Sequence, residues 1–78
     1  MDEEFKLDTD NISSQLKYLA GRAGMNMTML KFAVNQIFNK KDSIRNLYNK
    51  MKHKTLRVSE LAEIAEILNY EIILRKKP

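Results

Sequence analysis

A mainly α-helical domain of four short helices followed by a C-terminal β-strand is the fold class this sequence predicts. Three observations predict it. Apolar residues recur at helical spacing in four windows between residues 12 and 68. Each window opens near a residue whose side chain can cap a helix, and two of them close on Gly or Asn. After residue 69 the chain switches to YEIILRKKP, where β-type residues alternate.

The first helix is expected over residues 12–23, with Ile12, Leu16, Leu19 and Ala23 on one face. Asp10 or Asn11 can cap its start, and Gly24 can end it in a left-handed conformation. The second is expected over residues 28–39, capped by Thr28. Leu30, Ala33, Val34, Ile37 and Phe38 form its inner face, widened by Phe32. Met25, Met27 and Met29 cluster at the preceding turn, where methionine fills irregular gaps in a core.

The third helix is expected over residues 43–53, capped by Asp42 or Ser43. Ile44, Leu47, Tyr48 and Met51 make a single apolar stripe, while Arg45, Asn46, Asn49, Lys50 and His53 lie outside it. The fourth is expected over residues 60–68, capped by Ser59, with Leu61, Ile64, Ala65 and Leu68 facing inward. Glu60, Glu63 and Glu66 then form a solvated acidic outer face, and Asn69 ends the helix. In the tail, Tyr70, Ile72 and Leu74 share one face of a strand and Ile73 takes the other. A lone strand needs a partner. The chain offers residues 4–7, and a second molecule offers the same tail.

The 78 residues therefore divide into an acidic segment (1–10), a helical domain (11–69) and a strand with a basic tail (70–78). Such a chain buries only about 60% of its unfolded surface, which leaves no room for a separate catalytic domain. No cysteine is present, which excludes disulfides and Cys-based zinc sites and fits a cytoplasmic protein. No apolar run is long enough to span a bilayer or to serve as a signal peptide.

Charge is unevenly spread. The first ten residues hold five carboxylates against Lys6, a net −4, so residues 11–78 carry +8 of the formal total of +4. Residues 39–57 alone hold seven basic side chains against Asp42, a net +6. A concentration of this kind is the electrostatic footprint of a polyanion partner. Arg pairs with guanine edges and Asn with adenine edges in the major groove of DNA. Arg45, Asn46 and Asn49 supply those groups on successive turns of the third helix. Lys40, Lys41, Lys50, Lys52 and Lys54 are placed as point charges for phosphates. The acidic start is a candidate shield for this basic face.

The segments LKYLAGRAGMNMTMLKFAV and SIRNLYNKMKHKTLRVSELAEIAEILNYEI resemble the phage-repressor and Cro-type (Xre-like) helix-turn-helix domains of bacteria and their mobile elements, in the style of small Firmicute versions. The resemblance covers about three quarters of the chain, residues 12–68. It implies a four-helix, lambda-repressor-like fold whose second helix supports and whose third reads DNA. Family positions that read bases fall on Ser43, Arg45, Asn46 and Asn49. The stretch VNQIFNKKDS is longer than the family's usual tight turn.

The expectation is a cytoplasmic, sequence-specific, repressor-like transcription regulator bound to double-stranded DNA. Recognition helices of this kind act in pairs, so a homodimer is expected, with Tyr70, Ile72, Ile73 and Leu74 as its interface. The alternative is a protein-interaction module on the same fold, such as an antitoxin or phage adaptor. No enzyme activity, cofactor, metal or small-molecule substrate is expected. His53 is the only histidine, it lies among lysines, and no glycine-rich phosphate loop exists.

Overall fold

Residues 4–78 are described by the computed structural model, which contains a 3₁₀ turn at Thr9–Asn11 and four helices: α1 (Ile12–Arg22), α2 (Met27–Ile37), α3 (Ile44–Lys52) and α4 (Val58–Ile67). The protein is mainly α. Asp2 and Glu3 of the acidic start lie outside the described residues.

Short-range chemistry sets each boundary. The Ser43 hydroxyl accepts from the Asn46 N–H at 3.1 Å and caps α3, as its sequence suggests. Three other caps differ from expectation. Asn26, not Thr28, caps α2, accepting from the Met29 N–H at 2.8 Å. This earlier start brings Met27 onto the helix, where it is buried. Asp8 caps the 3₁₀ turn, accepting from the Asp10 N–H (3.0 Å) and from Asn11 Nδ2 (2.9 Å). That turn runs directly into α1, so the cap moves upstream of Asp10 and Asn11. Helix α4 begins after Arg57, whose N–H donates to Glu60 Oε1 at 3.0 Å, and Ser59 falls inside its first turn.

All four helices end the same way. Gly24, Asn39, Lys54 and Asn69 take positive φ (77°, 54°, 57° and 65°). In each case the next residue donates its N–H to the carbonyl five positions back: Met25 to Ala20, Lys40 to Asn35, Thr55 to Lys50 and Tyr70 to Ala65, at 2.8–2.9 Å. These bonds close carbonyls that the helix ends would otherwise leave open.

The core draws on every helix: Leu16, Leu19 and Ala20 of α1, Met27, Leu30 and Val34 of α2, Leu47 and Met51 of α3, and Ile64 of α4 with Leu68 just beyond it. Helix α2 lies at its centre and touches the other three. Three inner-face expectations are corrected. Ala20 is buried and Ala23 is exposed, because Ala20 follows Leu16 by one turn on the packed face. Phe32 is 63% exposed, since it lies about 200° around the helix from Leu30. Ile37, the last residue of α2, is 66% exposed. The methionine cluster divides, with Met27 buried, Met25 partly so and Met29 exposed.

Lys31 is buried on the inner stripe of α2, where its ammonium lies 3.6 Å from the Asp42 carboxylate. Asn35 Nδ2 donates to the Asp42 carbonyl at 2.7 Å. Two side chains of α2 thus grip the turn that enters α3, and the length of that turn does not leave α3 unanchored. The outer face of α4 is also different from expectation. Glu60 pairs with Lys50 of α3 at 2.6 Å, and Glu63 pairs with Lys40 at 2.7 Å. Of the three glutamates Glu66 is exposed and the other two are half-buried, because cations on α3 and its entry draw them inward.

The N-terminal segment lies on α1. Gln15 accepts from the Asp8 N–H at 2.7 Å and donates to the Lys6 carbonyl at 3.3 Å, while Phe5 stacks on Tyr18 with ring centroids 5.8 Å apart. The Glu4 carboxylate pairs with the Arg75 guanidinium, Nη1 to Oε2 at 2.6 Å. The two ends therefore meet where pairing was expected, yet no strand forms among the described residues. Gln15 holds part of the backbone of residues 6–8 that a ladder would use, and the tail is left without a partner strand. Tyr70 packs partly against the core, whereas Ile72, Ile73 and Leu74 are exposed.

Candidate nucleic-acid interface

Helix α3 is strongly two-faced. Leu47 and Met51 are buried, Ile44 is half-buried, and Tyr48 sits at the margin. At 100° per residue, Arg45, Asn49 and Lys52 line up along the opposite side, flanked by Asn46 and His53. All five are exposed. At the start of the helix, Lys41, Asp42, Ser43, Arg45, Asn46 and Asn49 line one shallow concavity. The residues assigned from sequence to base edges therefore come together on one open surface. Ser43 is part of it, but its hydroxyl already accepts the capping hydrogen bond.

The lysines assigned to phosphates separate into two groups. Lys41 and Lys52 are exposed and make no ion pair among the described residues. Lys40, Lys50 and Lys54 are engaged within the chain, by Glu63, Glu60 and Asp10. The hydrogen bond with Glu63 holds Lys40 above its ordinary pKa. Burial acts to raise the Glu60 carboxyl, but the hydrogen bonds from Lys50 and the Arg57 N–H, with the charges of Lys50 and Lys40, outweigh it and bring the group below its usual value. Lys50 and Lys40 thus position α3 and its entry rather than standing open to solvent.

Sequence reasoning missed Lys31, Asn35 and Asp42, which set the turn, and Asp10, which meets Lys54. For Lys31 the signal was present. Met27, Leu30, Lys31 and Val34 follow the i, i+3, i+4, i+7 pattern, and a lysine on such a stripe calls for a carboxylate.

Lys54 carries a backbone cost. The left-handed region costs an L-residue with a full side chain far more than glycine. Lys54→Gly is therefore expected to raise the melting temperature by roughly 4 °C in a thermal scan. An unchanged or lower value would mean that the Lys54 side chain contributes more to folding than its backbone conformation costs.

No helix among the described residues is long and apolar enough to cross a membrane. Neither protein-family models, nor curated proteins, nor solved structures give a match to this chain.

Proposed function

We propose that the chain is a cytoplasmic, sequence-specific DNA-binding transcription regulator of helix-turn-helix, repressor-like design. In this reading α2 is the supporting helix and α3 enters the major groove. The observation that carries it is the exposure of Arg45, Asn46 and Asn49 on one face of a helix whose other face is buried, inside a segment of net charge +6. Guanidinium and amide groups on successive turns match the acceptors and donors of base edges. Lys41 and Lys52 flank them as phosphate contacts. No step of this function calls for an enzyme activity, a metal or a cofactor.

A titration with random duplex DNA tests it. Binding is expected to weaken with salt along a log–log slope of roughly −4 to −7. Absence of affinity at low salt would reject the reading in favour of a protein-interaction module. One observation favours that second reading: Met25, Thr28, Met29, Phe32 and Ala33 form an open apolar hollow on α2 and the turn before it.

Two recognition helices acting on half-sites about one DNA turn apart require a dimer. The exposed Ile72, Ile73 and Leu74 are the proposed contact between copies, each tail serving as the other's partner strand. Ile73→Lys is then expected to sediment at half the wild-type mass. Equal masses for the two proteins would place the dimer contact elsewhere.

A further inference from the structure

The acidic turn ahead of α1 has a role that the DNA-binding reading does not use. We infer that Asp10, supported by Asp8, is a built-in competitor for the DNA backbone: it occupies Lys54 at the exit of α3, and a phosphate must displace it. The inference rests on the DNA-binding reading of α3 and assigns a regulator to that same surface.

Four observations carry it. First, Asp10 Oδ1 meets Lys54 Nζ across 44 positions of sequence, so the contact is made by the fold and not by proximity along the chain. Second, the turn is fixed in place. Asp8 accepts from the Asp10 N–H and from Asn11 Nδ2, and Gln15 of α1 accepts from the Asp8 N–H at 2.7 Å. The carboxylates are thereby set beside Lys54 before any ligand arrives. Third, both members of the pair are open to water, with side chains 71% and 60% exposed. Such a pair exchanges readily and yields to a denser array of negative charge.

The fourth observation concerns Lys54 itself. The equivalent position at the other three helix ends is Gly24, Asn39 or Asn69, the residue types that accept positive φ at least cost. Only α3 ends on a lysine. Backbone geometry does not select that side chain, and its ammonium is the group that meets Asp10. The Lys54 ammonium is held above its ordinary pKa by the hydrogen bond with Asp10, then by the charges of Asp10 and Asp8.

A carboxylate and a phosphate compete on the same terms, since both are anionic groups that only accept hydrogen bonds. Any duplex that uses Lys54 must first part it from Asp10, which lowers affinity without altering the base contacts made by Arg45, Asn46 and Asn49.

The test is a double-mutant cycle on binding of the full chain to a random duplex at low salt. Asp10→Asn keeps the side chain's size, and the hydrogen bond that caps the turn comes from the Asp10 backbone. It is expected to tighten binding about three- to fivefold. In a Lys54→Ala background the same change is expected to have less than half that effect. Glu66→Gln removes an equal charge from the exposed side of α4 and is expected to shift binding less than twofold. Equal gains from Asp10→Asn and Glu66→Gln would overturn the inference, as would a gain that persists in full without Lys54. In both cases the wild-type protein still binds DNA, so the reading of α3 survives. If neither the wild-type chain nor Asp10→Asn binds duplex DNA, both are rejected together.

Discussion

Arg45→Ala is expected to weaken binding to the preferred duplex by about 1–3 kcal/mol and to blur preference at one position of the site. Arg45 is exposed on α3 and lines the concavity at its N-terminal end together with Asn46 and Asn49. A guanidinium there can donate two parallel hydrogen bonds to the O6 and N7 of a guanine, and alanine can donate none. The loss should therefore be large on sites with that guanine and small on sites without it. Competition binding against single-base variants of the preferred site reads this directly. Equal losses on every duplex would reassign Arg45 to a phosphate. Fold stability should hardly change, because the side chain projects from the surface.

Leu30→Ala is expected to cost about 2–5 kcal/mol of folding stability. Leu30 is 0% exposed on α2, the helix that touches the other three. Chains of this size are stable by about 4–12 kcal/mol in total, so the substitution removes a large part of the margin. Urea denaturation should show a much lower midpoint. Phe32→Ala, two residues along on the same helix, removes a larger ring that is 63% exposed. It should move the midpoint far less. Comparable losses at both positions would mean that the Phe32 ring is covered in solution by something beyond the single chain.

Much of the fold was legible because its signals are local. Helical spacing located all four helices to within two residues at each end, and Gly24 and Asn69 announced two of the four exits. The caps were harder. Asn26 and Thr28 are both good capping residues, and burial of Met27, not cap chemistry, decides between them. Lys54 at positive φ ran against residue preference and carried no local signal. The polar face of α3 was legible for the same reason as the helices, since one buried stripe at fixed angular spacing determines what points away from it.

The partners of the lysines were not legible. Lys50 meets Glu60, Lys40 meets Glu63 and Lys54 meets Asp10 across 10, 23 and 44 positions. Charge counts treat these lysines as equivalent to Lys41 and Lys52, and only packing sorts them. The tail shows a further limit. Its alternation suits a strand, but a strand is a property of two segments, and the Glu4–Arg75 pair alone does not build a ladder.

Selection of bound sites from random duplex DNA tests the central claim most directly. The expected result is a consensus built from two related half-sites about one helical turn apart, with guanine or adenine at the positions that relax in Arg45→Ala and Asn49→Ala. Recovery of no enriched sequence by the wild-type chain, or of one indifferent to both substitutions, would contradict it.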